Sequence, residues 1–453
     1  MEATTEKLLA MVEKHSALIC RAQEYIFDNP ETGFQEWNTS NYMAENFRKL
    51  GYTPVEAGNI PGFYADLDTG KPGPTIAVFG ELDALVIPSH PKAKNGIVHA
   101  CGHNAQSAML LGIAAALKEP GALDDLCGKI RLISVPAEEM VQVEFRQELV
   151  KKGTIHFMHG KGEFIYRGFL NGVDAAFMFH AAKIREESDF FCRPGSNGLL
   201  AKTAYYHGKS AHAGCSPQNG VNALYAGTLG LQAINSIRET FVDDEHVRVH
   251  PIMDLGNGSV NAIPDYAKIE SYVRGATLES IRENNKKVNR ALAGAALSMG
   301  AGLEIQEGGC YAPLNTDPGM MEVARICMEA VSPGRVDITP MRESGSTDMG
   351  DISTIMPAVQ PYACGADGTG HGDDYAIADP IKACVNPAKA GFLMLHELLK
   401  NDGAKTYEIK KNFHPIYAGV QDYCKAMDEM MAHWELTTTM EEDGSFHAEW
   451  KRD

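Results

Sequence analysis

Apolar residues recur at three- and four-residue spacing through "TTEKLLAMVEKHSALICRAQEYIFDNP". With threonines ahead and Asn-Pro behind, that spacing predicts one amphipathic helix at the start of the chain. A second helix is predicted in "EWNTSNYMAENFRKLGY", stopped by Gly51. The pattern then changes. "TIAVFGELDALVI" and "KIRLISVPAEE" are short, continuous apolar runs that end in acidic residues, with the helical "AQSAMLLGIAAALKE" between them. Strands buried on both faces carry such runs, so strand, helix, strand predicts a mixed, mostly parallel sheet between helices.

From about 198 the periodicity shifts again, to "LLAKTAYYHGKSAHAG", a helix "NALYAGTLGLQAINSIRE", strands "VRVHPIMDLG" and "YAKIESYVRG", and a helix "LESIRENNKKVNRALAGAALSMG". This succession predicts a smaller α+β domain over 198–305, inserted into an α/β parent made of 1–197 and 306–453. The piece from about 401 reads as a C-terminal helical extension with an acidic tail. Length supports two domains: at 453 residues the chain exceeds the roughly 250–300 at which single cores stop growing.

The net charge of −18 argues against general affinity for nucleic acid or an anionic membrane, both of which attract clustered Lys and Arg. The first residues lack the order of a signal peptide, and no apolar run approaches the roughly 18–20 residues that cross a bilayer. A soluble, cytoplasmic protein is expected. The ten cysteines are scattered without a CxxC pair and are expected to be reduced. Only Cys101 has chemically suggestive neighbours, in "HACGHN".

In open α/β sheets the functional site lies at the carboxyl ends of the strands. Asp83, Cys101, His103, Glu138 and Glu139 all fall at or just after predicted strand ends, His180 closes "VDAAFMFH", and His371 sits in the glycine-rich "CGADGTGHGDD". Imidazoles, a thiolate and carboxylates converging in this way are the donors that divalent cations take. Adjacent glutamates in "SVPAEEM" can divide the work, one binding metal and one acting as a base. Each piece alone has a plainer reading: Cys-x-His as packing, Glu-Glu as a solvated helix start, and His180 and His371 as a satisfied histidine and a loop residue.

Taken together and in order, "NPETGFQEWNTSNYMAENFRKLGY", "GELDALVIP", "HACGHN", "PAEE", "GKSAHAGCSPQNGVNAL", "VNAIPDYA", "YVRG", "GSTDMGDIS" and "GTGHGDDY" resemble the metal-dependent amidohydrolase and carboxypeptidase family, which includes aminoacylases, hippurate hydrolase, auxin-conjugate hydrolases and carboxypeptidase G. "CGHN" is most similar to the branch holding the p-aminobenzoyl-glutamate hydrolase B subunit. The resemblance covers residues 20 to about 400. It implies a zinc-exopeptidase-like catalytic domain and a lid or dimerisation domain inserted in it. It further implies two divalent metal ions per chain, zinc or manganese, held by Cys101, His103, Glu139, His180 and His371. Glu138 would be the general base and Asp83 would orient the cluster, while Glu81 stands where many relatives have a metal-binding histidine. In the inserted domain His212 would stabilise the oxyanion, and Asn261 and Arg274 would contact substrate. The implied partners are a small-molecule amide substrate and a second copy of the chain, or a related subunit.

Three departures bear on the substrate. Gln106 replaces a histidine common after the motif, the segment 140–172 is longer than in many relatives, and Ala-Ala follows His180. The expected reaction is hydrolysis of the amide of an N-acyl amino acid, an amino-acid conjugate or a dipeptide. The alternative is a non-catalytic or paired-subunit binding protein of the same fold.

Overall fold

A computed structural model describes residues 2–256, 258–440, 443 and 445–452, and they fall into two compact units. The larger comprises Met1–Gly195, Leu314–Glu343 and Asp348–Val420. Its main sheet orders the strands Val55–Glu56, Phe63–Asp68, Lys129–Val135, Thr75–Glu81, Ala175–Phe177 and Ala358–Val359. The four from Lys129–Val135 onward are parallel and the first two pairings antiparallel. The α/β architecture with a mixed, mostly parallel sheet is therefore as the apolar runs dictate.

The helix His103–Ala116 lies against Thr75–Glu81, and all fourteen of its residues are buried. That explains why "AQSAMLLGIAAAL" has almost no polar face: helices pack it from the other side as well. Asn386–Leu399 and Ser16–Phe27 are among them. A second sheet joins Val336–Asp337, Phe190–Phe191, Tyr362–Asp367 and Ala376–Ile377, with His180–Lys183 pairing in parallel to Tyr362–Asp367. This pairing makes His180, which closes the apolar run, the first residue of the next strand.

The first helix is divided. The structure has Glu2–Glu13 and Ser16–Phe27, interrupted at Lys14–His15. The Ser16 hydroxyl donates back to the Glu13 carbonyl at 2.8 Å, a local bond that competes with the helical ladder. Lys14 and His15 both turn to Glu119, at 2.7 and 3.0 Å.

The smaller unit comprises Ser196–Pro313, Ser344–Thr347 and Gln421–Asp453. Its antiparallel sheet runs Arg248–Asp254, Tyr266–Gly275, Gly198–His207, Gly302–Tyr311, Ala432–Met440 and Phe446–Arg452. Ala223–Ile237 and Leu278–Met299 pack together and against it. The longer helix opens with a Thr277–Ser280 capping box and ends at Gly300, whose φ of 66° suits the left-handed cap.

Two expectations are corrected here. The boundary expected at 306 falls inside the strand Gly302–Tyr311, whose pairing with Gly198–His207 continues to Tyr311. The C-terminal extension was expected to stay with the parent domain. Only its first part does; residues 432–440 and 446–452 form a hairpin on the smaller unit's sheet, pairing Leu303–Glu307 with Leu436–Ala432. The cause is the alternation in "AHWELTTTM", which turns Leu436 into the core and fits a strand, not a helix. Among the described residues no helix is long and apolar enough to cross a membrane.

Candidate metal centre

Cys101 stands at the middle of the cluster. Gly102 follows it with φ 92°, and that left-handed residue makes the turn from which the helix His103–Ala116 starts. An added Cβ at Gly102 would lie 2.6 Å from the Tyr375 hydroxyl and 2.8 Å from the Ala181 Cβ, so the turn has no room for a side chain. Cys101 Sγ is 3.5 Å from His180 Nε2 and 3.4 Å from His371 Nε2. His371 Nε2 is also 3.1 Å from Glu139 Oε1. Among the described residues, three groups of donor atoms lie within 4.8 Å of one another: Cys101, His103 and His180; Cys101, Glu139 and His371; and Glu81, His103 and Glu138.

Asp83 organises this arrangement. One of its carboxylate oxygens accepts from His103 Nδ1 at 3.0 Å, and the other accepts from the Glu139 backbone N–H at 2.8 Å. His103 therefore keeps Nδ1 as the donor and turns Nε2 toward the cluster. His180 does the same by donating Nδ1–H to the Ala181 carbonyl at 2.7 Å.

The glutamate pair sits on a strained turn. Ala137, before Glu138, has φ 56°, an unfavourable region for a residue with a Cβ. It is held by Glu36 Oε1, which accepts from the Ala137 N–H at 2.7 Å. Arg146, fully buried, donates to the carbonyls of Met158, Ala137 and Glu139. The unusual 140–172 segment is thus a brace: Val143–Lys151 supplies Arg146, and Gly160–Tyr166 supplies Lys161. Lys161 is buried against Glu81 at 2.5 Å and against Asp348. Burial works against its charge, but Asp348 and Glu81 outweigh burial and hold it above the usual lysine range.

Proton affinities follow from this crowding. Burial and the charge of Glu139 push the Cys101 thiol up, yet His103 and His180 together bring it down to about 6. Burial, then the charges of Glu81, Glu139 and Asp348, push Glu138 well above the carboxylate range. Glu139 suffers the same burial, but His371 outweighs it and holds Glu139 low. His371 itself rises to about 11, chiefly through Glu139. Burial lowers His103, yet Cys101, Glu81 and Asp83 carry it well above its ordinary value. His99, buried beside them, is pushed down to about 3 by burial and by His103.

These residues fit a divalent cation. Glu81 Oε2, His103 Nε2 and Glu139 Oε1 are buried atoms without a well-formed hydrogen bond; they meet only as ion pairs, Glu81 with His103 and Glu139 with His371, each at 3.1 Å, an arrangement that a cation between them would satisfy. The raised imidazoles carry protons where positive charge is demanded. Thiolate, imidazole and carboxylate donors in one pocket are the set used for zinc and its neighbours.

The other three predicted residues lie in the smaller unit. His212 Nδ1 accepts from the N–H groups of Gly214 and Cys215, both at 3.1 Å. Asn261 is beside it, its carbonyl accepting from the Ala213 N–H at 3.0 Å. Arg274 is eight residues along the strand from Tyr266, which is roughly 26 Å of extended chain, and donates to His250 at 3.1 Å. His212 and Asn261 are neighbours, and Arg274 is not with them.

Lys161, Arg146, Glu36 and Asp348 were not singled out from the sequence. Their only signals were the unusual length of 140–172 and the "STD" of "GSTDMGDIS".

A cluster of one thiolate, three imidazoles and several carboxylates, buried at Glu81, His103 and Glu138 and open to solvent at His371, with two adjacent glutamates of opposite proton affinity, belongs to the class of metal-dependent hydrolases. The pattern that defines "Peptidase family M20/M25/M40" matches residues 62–394, and the chain belongs to that family. It is an enzyme that acts on amide bonds with divalent metal. The chain is 30% identical over 313 residues to thermostable carboxypeptidase 2 of Saccharolobus solfataricus, covering 66% of this chain and 74% of that one. It is 30% identical over 349 residues to the indole-3-acetyl-aspartic acid hydrolase of Enterobacter agglomerans, covering 65% and 75%. In fold it is similar to a dinuclear metal-binding peptidase of family M20 from Bacillus subtilis, with a TM-score of 0.63 at 20% identity, over 85% and 99% of the two chains.

Proposed function

We propose that the protein hydrolyses the amide of an N-acyl amino acid, an amino-acid conjugate or a dipeptide, using two divalent ions, zinc or manganese, held by Cys101, His103, Glu139, His180 and His371. The observation that carries this reading is the division between neighbours: Glu139 lies on His371, whereas Glu138 Oε2 stands 3.9 Å from His103 Nε2 and holds its proton strongly. Bound metal would polarise the substrate carbonyl and acidify water. Glu138, its own proton released when positive charge occupies the cluster, would take the proton of the attacking water and return it to the leaving amine, a shuttle favoured by a carboxyl group raised above its ordinary range. Asp83 keeps His103 and the Glu139 backbone fixed throughout. Support for conjugates and dipeptides comes from the relatives' names, which include the indole-3-acetyl-aspartic acid hydrolase and an Xaa-Arg dipeptidase. On the resemblance, we assign His212 to the oxyanion, Asn261 and Arg274 to substrate, and the smaller unit to pairing with a second copy.

The test is amine release from N-acyl amino acids, acyl-glutamates and dipeptides by metal-stripped protein restored with zinc or manganese. Metal-dependent release is expected, with Glu138→Gln slower by about 100- to 10,000-fold while still binding metal. Full activity in Glu138→Gln would refute the assignment of the base. No turnover by protein carrying its metal would favour a binding protein.

A further inference from the structure

Glu81 and Lys161 form an arrangement that the five assigned ligands do not need. Glu81 ends the central strand Thr75–Glu81 and is fully buried. Its two oxygens are treated differently: Oε1 receives the Lys161 ammonium at 2.5 Å, and Oε2 lies 3.1 Å from His103 Nε2. Neither Oε2 nor His103 Nε2 has a well-formed hydrogen bond, and His103 Nδ1 is already committed to Asp83. In the metal-free protein a proton on His103 reconciles the buried carboxylate oxygen with the imidazole nitrogen 3.1 Å away; with that proton gone, two lone-pair donors face each other and a cation is needed in its place.

Lys161 is held so that it can do nothing else. Its backbone N–H donates to Asp348 Oδ2 at 3.0 Å, while its ammonium contacts Asp348 Oδ1. Asp348 Oδ2 is also 3.5 Å from His159 Nδ1. At Gly160 an added Cβ would strike the Pro136 carbonyl, so glycine lets this turn lie directly on the strand that leads to Glu138. A fully buried ammonium is costly unless paired, and here the pairing occupies one face of the Glu81 carboxylate.

We propose that Glu81 is a further ligand of the metal ion held by His103, and that Lys161, anchored on Asp348, is a positioning residue that turns Glu81 Oε2 toward that ion. The proposal rests on the reading of this cluster as a metal centre. It adds a carboxylate to one ion and gives the 140–172 segment a function: an internal cation that orients a ligand without binding substrate.

The test is a titration of metal-stripped protein with cobalt(II) and zinc(II) against a chelating dye, with near-UV circular dichroism to establish folding. Wild type is expected to bind two equivalents. E81Q should weaken one equivalent by at least about 100-fold and alter the visible cobalt bands, because a ligand oxygen is lost. E81D keeps the charge on Lys161 but withdraws the oxygen by one methylene, and should weaken the same equivalent even if E81Q fails to fold. K161M should cost about 10- to 100-fold, the usual effect of removing a ligand's support. The double variant E81Q/K161M should match E81Q, since Lys161 acts through Glu81. Wild-type affinity and cobalt bands in both folded Glu81 variants would overturn the proposal. A wild type that binds no metal would instead overturn the metal-centre reading on which it rests.

Discussion

Metal binding at this cluster should expel protons, and their number follows from the structure. At pH 7 His371, raised to about 11 by Glu139, is protonated in the metal-free protein, and so is His103, carried well above its ordinary value by Cys101, Glu81 and Asp83 once these overcome burial. A metal ligand must be a neutral imidazole, so each gives up one proton. Burial lowers His180, but Cys101 outweighs burial and raises it, so His180 adds to the count. Cys101, at about 6, is already mostly thiolate and contributes about one-tenth of a proton; Glu139 is held low and contributes none. Glu138, held protonated by burial and by the charges of Glu81, Glu139 and Asp348, must also ionise to serve as the base and adds up to one more, so the total is between about two and four protons per chain. The sign is fixed by linkage: protons leave on binding, so affinity rises with pH, by about 100-fold or more per unit near neutrality. Below about pH 6 the slope steepens by one further proton as Cys101 protonates. Above about pH 11 it flattens as His371 is already neutral. Calorimetric titration with zinc in buffers of different ionisation enthalpy counts the protons directly. Release of fewer than one proton at pH 7, with metal bound in full, would refute the assignment of His371 and His103 as protonated ligands in waiting.

Gly102→Ala places a Cβ 2.6 Å from the Tyr375 hydroxyl on a backbone with φ 92°; strain of about 1–3 kcal/mol is expected, and equilibrium dialysis should show zinc affinity falling more than about 10-fold. Unchanged affinity would mean that the turn does not set Cys101 and His103. In the smaller unit, Trp434 Nε1 donates to Glu307 Oε2 at 3.0 Å, while Lys202, Asn285 and Asn289 are gathered on Oε1. Trp434→Phe keeps an aromatic side chain but removes the pyrrole with its N–H donor, so denaturant unfolding should show a loss of about 1–3 kcal/mol, and wild-type stability would show that the hairpin does not close this buried network.

The elements that the sequence reveals are those whose signal is local. Apolar runs ending in acidic residues gave Thr75–Glu81 and Lys129–Val135, and the spacing of Cys101 and His103 gave half of the cluster, because each pattern is complete within a few residues. The break at Lys14–His15 escaped for the opposite reason: the helical period continues through it, and only a hydroxyl bonding back to Glu13 ends the first helix. The hairpin of 432–452 had a local signal, the alternation around Leu436, overshadowed by the helical "DYCKAMDEMM" before it. The brace around the glutamates had none. Arg146 lies on a helix whose composition suggests solvent, and Lys161 meets partners 80 and 187 residues away. Charged residues acquire such positions only when distant carboxylates and carbonyls are already in place to receive them.

Ala137 carries the point furthest. Nothing in Pro-Ala-Glu-Glu announces a left-handed alanine, because its strain is offset from outside, by Glu36 on its N–H and by Arg146 on its carbonyl and on that of Glu139. That conformation directs two successive carboxylates to different partners, one to His371 and one toward His103. The chemistry written in adjacent letters therefore depends on residues a hundred positions upstream and nine downstream.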